Sequence, residues 1–348
     1  MLLVSIRDLQ WRRRRFFIAL LATALVFALA MVLTGISQGF RNEVTRTVNA
    51  LDADRWLVPS TATGPFTSSR VFPATSAEGV GAMPGVEAAD AILIGRESVR
   101  TPKLQDVAVI GVVPGGLGNP QLDDGRGVEA PGEIVADRSL GLPLDGTVRI
   151  GETAFRIVGR TSGLTSLAGA PTLFIPIGDA QRLSLGGQSL ASTILTRGVP
   201  ESTPEGFRAM TADEVMSDLR RPLRKATATI DLVRVLLWIV AAGIIGSIVY
   251  LQSIERTRDF AVLKATGTTS ASLFGGLAIQ AVVLALTSAA AAFVLAFALA
   301  PLLPVRIEIP GGAYALLPLV AIVVGLLASL AGLRRAVSTD PALAFGGG

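Results

Sequence analysis

The chain has 348 residues, a length that would suit two soluble domains, but its composition excludes that class. Half of the residues are apolar and only 17% are charged, against about 25% in a typical soluble domain. Since about 20 apolar residues suffice for a helix to cross a bilayer, the chain is predicted to be an integral membrane protein. Four stretches lack Asp, Glu, Lys and Arg: Phe16 to Phe40, Val235 to Ile254, Ala265 to Val305 and Ile309 to Leu333.

The absence of certain residue types excludes several kinds of chemistry. Without His or Cys the chain has no zinc-finger ligands, thiol nucleophile, disulfide or Ser-His triad. Its three lysines, Lys103, Lys225 and Lys264, do not follow a glycine, so no phosphate-binding G-x-x-x-x-G-K-[ST] loop exists. We therefore assign no catalytic, cofactor-binding or metal-binding residue. If ATP drives this protein, we expect another chain to bind ATP and Mg and to hydrolyse the ATP.

Charge asymmetry predicts the topology. The segment before the first apolar stretch has a net charge of +4, and the loop at 255–264 and the tail at 334–348 have +1 each. The long stretch from Ser37 to Thr229 is mildly acidic. By the positive-inside rule, both termini and the short loop are expected in the cytosol, with the large domain extracytoplasmic.

Two assignments have alternatives. The first apolar stretch resembles a cleaved signal peptide, with Ala28-Leu29-Ala30 as the cleavage box, but apolar sequence continues past Ile36, which favours an uncleaved span. The third stretch is long enough for two helices. Two helices would place Arg334 and Arg335 outside, so one long helix ending at Pro301 is favoured.

The predicted fold is an α-helical membrane protein with four transmembrane helices plus an α+β extracytoplasmic domain on helical stalks. The segments are an interfacial helix at 1–15, spans at 16–36, 235–254, 271–300 and 314–333, stalk helices at 37–54 and 211–234, the outer domain at 55–210, a cytosolic loop or helix at 255–270, a short outer loop at 301–313 and the tail at 334–348.

Both stalks show helical spacing of apolar residues. The first stalk carries Phe40, Val44, Val48 and Leu51 at that spacing. The second begins with a capping box at 211–214 and continues as one apolar stripe from Val215 to Leu237, with a kink expected at Pro222. Neither segment is rich in Gly and Ser, so rigid transmitting helices are favoured over flexible tethers.

The outer domain has strand-forming segments bounded by turn residues. Gly151-Glu152 is predicted to be a hairpin turn, and 179–185 a short helix. Strands are predicted at 106–113, 133–136, 147–150, 154–159, 172–176 and 192–196.

The short cytosolic loop is the candidate site. Charges of both signs precede an apolar run, Gly267 is a helix stop, and Ser270 is positioned to cap the next span. Such a mixture suits docking into a groove on a partner protein, with Phe260 and Leu263 as anchors. The candidate contact residues are Glu255, Arg256, Arg258, Asp259, Phe260, Leu263, Lys264 and Gly267.

This loop resembles the E-R-x-R-E-F-A-V-L-K-A-x-G signature of FtsX-like/MacB-like ABC transporter permeases, with Asp259 in place of the usual Glu. The tail from Arg334 to Ala342 is similar to the family's R-R-A-x-x-x-D-P-A ending, and 145–159 resembles the MacB-like core domain. Gln38-Gly39-Phe40-Arg41 and Leu51-Asp52-Ala53-Asp54 are similar to the DevC-like branch.

The resemblance implies a permease subunit that is not itself an enzyme and that lies in a bacterial inner (plasma) membrane. Its expected partners are two separate ABC ATPase subunits, a second copy of the chain or a close paralogue, membrane lipid and, in some members, an extracytoplasmic protein, but no nucleic acid. The cytosolic loop would be the coupling helix seated on the ATPases, and the stalks would carry movement outward.

Three functions follow from these observations. The first is export or extraction of a lipid, lipoprotein or hydrophobic compound. The second is FtsX-like activation of a cell-wall hydrolase in the envelope. The third is a membrane-anchored receptor or adhesion module without an ATPase.

Overall fold

The computed structural model describes residues 13–101, 103–166, 169–300 and 307–338, in two compact units. One unit contains the residues up to Gly39 and those from Ala226 onward, and the other is Phe40–Lys225. Residues 1–12 of the predicted interfacial helix and Asp340 to Ala342 of the tail lie outside the described residues. The helices are α1 (Arg13–Asn49), α2 (Ser76–Gly81), α3 (Ile177–Leu185), α4 (Ala212–Arg220), α5 (Arg224–Glu255), α6 (Thr257–Ala265), α7 (Ser270–Leu299) and α8 (Gly311–Ser338). The strands are β1 (Arg55–Pro59), β2 (Phe72–Pro73), β3 (Val86–Thr101), β4 (Lys103–Val112), β5 (Asp124–Gly125), β6 (Glu133–Asp137), β7 (Thr147–Ile150), β8 (Thr153–Thr161), β9 (Thr165–Ser166), β10 (Ala170–Pro176), β11 (Leu190–Ala191), β12 (Thr193–Gly198) and β13 (Phe207–Met210).

The first unit contains four membrane-spanning helices, α1, α5, α7 and α8, each long and apolar enough to cross a bilayer. The third apolar stretch forms the single helix α7. Its buried face is rich in small residues such as Ala281, Ala285 and Ala289, which let a neighbouring helix approach closely. Gly325 of α8 packs against this face, because a Cβ placed on it would lie 2.9 Å from the Cα of Val282.

We predict that Gly325→Ala lowers the midpoint of thermal unfolding of the protein in lipid nanodiscs. The added methyl group would meet the backbone of α7, and such overpacking costs about 1–3 kcal/mol. Gly276→Ala is the matched control, because a Cβ there meets no atom within 4 Å and Ala favours a helix by about 1 kcal/mol. Equal midpoints for the two variants would contradict the close approach of α7 and α8.

The second unit is an α+β domain built on one large mixed sheet. Its strand order is β13-β1-β12-β3-β4-β10-β6-β8-β5, with β7 paired to β3 and β8 and with β9 paired to β10. The predicted hairpin at Gly151 is confirmed, because β7 and β8 pair antiparallel with Ile150 opposite Thr153. The strands β1, β3 and β13 were not predicted.

The C-terminal turns of α1 belong to the core of this domain. Val44, Val48 and Leu51 are 1%, 2% and 0% exposed, and they join a cluster that includes Ile110 and Phe174 of the sheet. The helical spacing predicted for the first stalk is therefore correct, and its apolar residues pack inside the outer domain.

The second stalk differs from the single kinked helix that was predicted. The capping box is confirmed, since the Thr211 hydroxyl accepts from the Glu214 N–H while the Glu214 carboxylate accepts from the Thr211 N–H. However, α4 ends at Arg220 and α5 begins at Arg224, because Pro222 lacks an N–H and cannot continue the helical ladder.

Candidate functional site

The candidate contact segment forms the separate short helix α6 between two membrane-spanning helices. Helix α5 ends at Glu255, and Arg256 leaves helical geometry with φ −102° and ψ 15°. The Thr257 hydroxyl donates to the carbonyl oxygen of Ile254 at 2.7 Å and so satisfies an acceptor at the end of α5. The chain can change direction here without leaving that carbonyl unpaired.

Gly267 ends α6 as the sequence indicated. It has φ +92°, a left-handed conformation that glycine adopts without steric cost. Its N–H donates to Lys264 O at 3.0 Å, and the N–H of Thr268 donates to Leu263 O at 2.9 Å, which is a Schellman motif. The cap of α7 lies one residue earlier than predicted, because the hydroxyl of Thr269, not Ser270, accepts the N–H of Ser272.

One face of α6 is turned into the unit of membrane-spanning helices. Phe260 is 6% exposed and Ala261 is fully buried, and Leu263 is half-buried against the same cluster, which includes Leu273 and Leu277 of α7. Within this chain Phe260 seats α6 on the membrane-spanning helices, because an aromatic side chain of this size gains most from burial. That Phe260 contacts a partner stays a prediction.

The opposite face of α6 is exposed and is the surface that a partner can reach. It consists of Asp259, Val262 and Thr266, spaced by three and four residues along α6 and its C-cap, and Glu255, which is also exposed, lies just before it at the end of α5. Val262 is 50% exposed, and its apolar side chain lies along this face between Asp259 and Thr266.

The remaining candidate residues flank this strip. Arg256 and Lys264 are half-buried and interact within the chain. The side chain of Arg258 lies outside the described set. Thus Asp259 lies on the accessible face with Glu255 next to it, whereas Phe260 and Leu263 pack against the chain's own helices and Gly267 ends α6.

We predict that Phe260→Ala loosens α6 without unfolding the outer domain. Replacing a buried Phe by Ala typically costs about 3–5 kcal/mol, and here the loss falls on the seat of one short helix. Hydrogen exchange should become faster in residues 257–265 and stay unchanged in 55–210. Val262→Ala, on the exposed face, is the control; unchanged exchange at 257–265 in the Phe260 variant would show that α6 does not depend on this contact.

Two hydrogen bonds join the end of α1 to the rest of the outer domain, and they were not predicted from the sequence. The Thr47 hydroxyl donates to Thr165 O at 2.8 Å, and the Glu43 carboxylate, 5% exposed, accepts from the Gly169 N–H at 3.2 Å. These bonds join the last turns of α1 to β9 and to the connection before β10. No local sequence signal could reveal them, because the partners are 118 and 126 residues apart.

Among the residues that the structure describes, no group of three or more His, Cys, Asp and Glu side chains is arranged to hold a metal ion. The buried carboxylates serve backbone groups instead. Asp218, 1% exposed, accepts the N–H groups of Phe66 and Thr67 at 3.1 and 3.2 Å, so it holds the loop after β1 against α4.

Two family models cover almost the whole chain. The MacB-like periplasmic core domain matches residues 16–213, and the FtsX-like permease C-terminal domain matches residues 232–341. This chain belongs to the FtsX-like/MacB-like family of ABC transporter permeases. It is therefore a membrane permease with a periplasmic-type domain, and the resemblance found in the loop and the tail is confirmed.

Relatives of full length carry the same class name. The chain is 43% identical over all 348 residues, and over the full length of each relative, to the uncharacterized ABC transporter permeases Mb2592 of Mycobacterium bovis and Rv0072 of Mycobacterium tuberculosis. A putative hemin transport system permease, HrtB of Staphylococcus epidermidis, is 26% identical over 146 residues, 41% of each chain.

Among solved structures, the periplasmic region of MacB from Actinobacillus actinomycetemcomitans matches 48% of this chain and 92% of its own. The two are 13% identical, with a TM-score of 0.36.

Proposed function

We propose that this permease transmits ATP-driven movement from cytosolic ATPase subunits to its outer domain, during export or extraction of a lipid, lipoprotein or hydrophobic compound. The observation that carries this proposal is α6, a short helix between two membrane-spanning helices of an ABC permease, seated on one face and exposed on the other. In this proposal ATP and Mg bind to the ATPase subunits, and the permease contributes movement.

The exposed strip of α6 is the proposed ATPase contact. Val262 would enter the apolar centre of the interface, and Glu255 and Asp259 would meet basic groups at its rim, where charges set register and association rate. Phe260 and Gly267 act indirectly in this arrangement: Phe260 holds the inner face, and Gly267 allows the tight turn into α7.

We predict that Val262→Asp removes most of the ATPase that co-purifies with the permease. A charge at the centre of an interface loses its hydration without gaining a partner, and each 1.4 kcal/mol of that cost lowers the affinity about tenfold. Val199→Asp in the outer domain is the matched control, because Val199 is also 50% exposed.

The readouts are the molar ratio of ATPase to permease after co-expression and the ATP hydrolysis rate of the complex. Full ATPase binding and activity in the Val262 variant would refute the assignment of the contact and would favour a receptor or adhesion module. Loss of binding in both variants would point to a general folding defect.

Helix α1 is the proposed transmitting element. It runs as one α-helix from Arg13 to Asn49, and its last turns are packed and hydrogen-bonded inside the outer domain. A continuous helix is stiff on this length scale, so a displacement of its membrane-spanning part is passed to the domain that it enters. The chain returns to the membrane through α4 and α5, which Pro222 separates.

We predict that a Gly-Ser-Gly insertion after Gly39, within α1, uncouples ATP hydrolysis from movement of the outer domain. The same insertion after Pro222 should have a smaller effect, because the helix is already interrupted there. Hydrogen exchange of residues 55–210, compared between ATP-trapped and ADP-bound complexes, measures the movement. Preserved ATP-dependent exchange in the Gly39 insertion, with α1 shown to be interrupted, would contradict transmission through this helix.

The assembly and the orientation in the membrane belong to the same proposal. Two permease chains, identical or closely related, would bind two ATPases, with both termini and α6 on the cytosolic side. Partial similarity to a permease named for hemin transport supports a hydrophobic cargo. ATP-dependent movement of a lipid or lipopeptide by the reconstituted complex would support export, whereas a cell-wall hydrolase bound to the 55–210 domain would support the regulator function.

A further inference from the structure

A cleft in the outer domain has the features of a binding site and is separate from the ATPase contact. It has a volume of about 350 Å³ and lies between the loop after β1, strands β3 and β4, and the end of α4. A second depression of about 420 Å³ adjoins it and shares Arg96, Ala108 and Ser166 with it. The apolar lining of the first is Phe66, Ile94, Ala108, Leu219 and Pro222.

One charged group of this cleft has unused hydrogen-bonding capacity. Ser166 contributes to the wall, but its hydroxyl is buried from the cleft and, among the described residues, has no hydrogen-bond partner, so a ligand does not reach it. Arg96 lies on the same rim, opposite Ala108 in the β3–β4 ladder, and within the described residues its guanidinium takes part in no hydrogen bond or ion pair.

We propose that this cleft binds an amphiphile with an apolar body and one anionic group. The anionic group, a carboxylate or phosphate, pairs with the planar guanidinium of Arg96. The apolar body lies against Phe66 and Leu219. The volume is near the lower end of the range for ligand sites, about 300–1,000 Å³, which suits a single chain or a small ring system.

The charges of the adjoining depression give the ligand one orientation. Its far side carries Glu97 and Asp106, which accept hydrogen bonds from Ser184 at 3.1 Å and Ser98 at 2.9 Å. These carboxylates repel a second anionic group, so the acidic end of the ligand stays at Arg96 and the apolar end points toward the loop after β1.

Some residues that line the cleft also lie at the break between α4 and α5 in the second stalk. Asp218 of α4 holds the wall residues Phe66 and Thr67 by their N–H groups, and Leu219 and Pro222 at the end of the same helix complete the lining. A ligand in the cleft therefore contacts both the loop and the segment where α4 gives way to α5. This inference concerns the outer domain alone and does not rest on the proposed ATPase contact.

The test uses the full-length permease in nanodiscs and a photoreactive, alkyne-tagged medium-chain fatty acid. After irradiation, labelled peptides are mapped by mass spectrometry. We expect labelling of peptides containing 66–69 and 94–108, competition by the untagged fatty acid, and much weaker labelling of these peptides by the corresponding neutral amide. Labelling of the membrane-spanning helices serves as an internal reference. A phosphate-headed single-chain probe distinguishes a carboxylate preference from a general anion preference.

Arg96→Gln should lower the labelling of the outer-domain peptides about tenfold, as expected for loss of a charged hydrogen bond. Arg100→Gln, an exposed arginine on the same face of β3 and outside the cleft, should leave it unchanged. Equal labelling in both arginine variants, or equal labelling by the acid and the amide, would overturn the proposal.

Discussion

The burial of the end of α1 in the core of the outer domain is the constraint on which the rest of this structure depends. Val44, Val48 and Leu51 fill positions in a close-packed cluster, and Thr47 and Glu43 add hydrogen bonds to the sheet side of the domain. Protein interiors are packed as densely as organic crystals, so a helix set into one cannot shift without moving its neighbours. The part of α1 from Phe40 onward is thereby a structural part of the outer domain.

The two segments that link the membrane-spanning helices to the outer domain differ in helical continuity. Helix α1 passes without interruption, whereas the return path is divided at Pro222 into α4, which is capped and anchored by Asp218, and α5. In the proposed function, the outer domain would follow α1 while the break at Pro222 absorbs the change in geometry. The same division places the cleft lined by Arg96 and Ser166 beside this break, where a bound ligand contacts the elements on its outer side.

Short-range residue patterns correctly predicted those elements that depend only on neighbouring residues. Charge-free runs indicated the spans, the capping box at Thr211 and the turn at Gly151 were visible as motifs, and Gly267 marked the end of α6. Features set by tertiary contacts were not predictable. Helical spacing shows that α6 has an apolar side, but not that Phe260 turns toward the chain's own membrane-spanning helices, leaving Val262 to face outward. Whether Pro222 kinks or interrupts a helix depends on packing around it, and here α4 is held to the domain.

In the proposed function, ATP-driven movement reaches the outer domain through α1, which moves as one body with it. The test is to determine structures of the permease with its ATPase in ATP-trapped and ADP-bound states and to superpose them on residues 55–210. We expect residues 43–49 to coincide in the two states and α1 to stay helical from Arg13 to Asn49, while the membrane-spanning part of α5 changes its angle to α4. An outer domain that moves while α1 breaks or slides against Thr165 and Gly169 would contradict it.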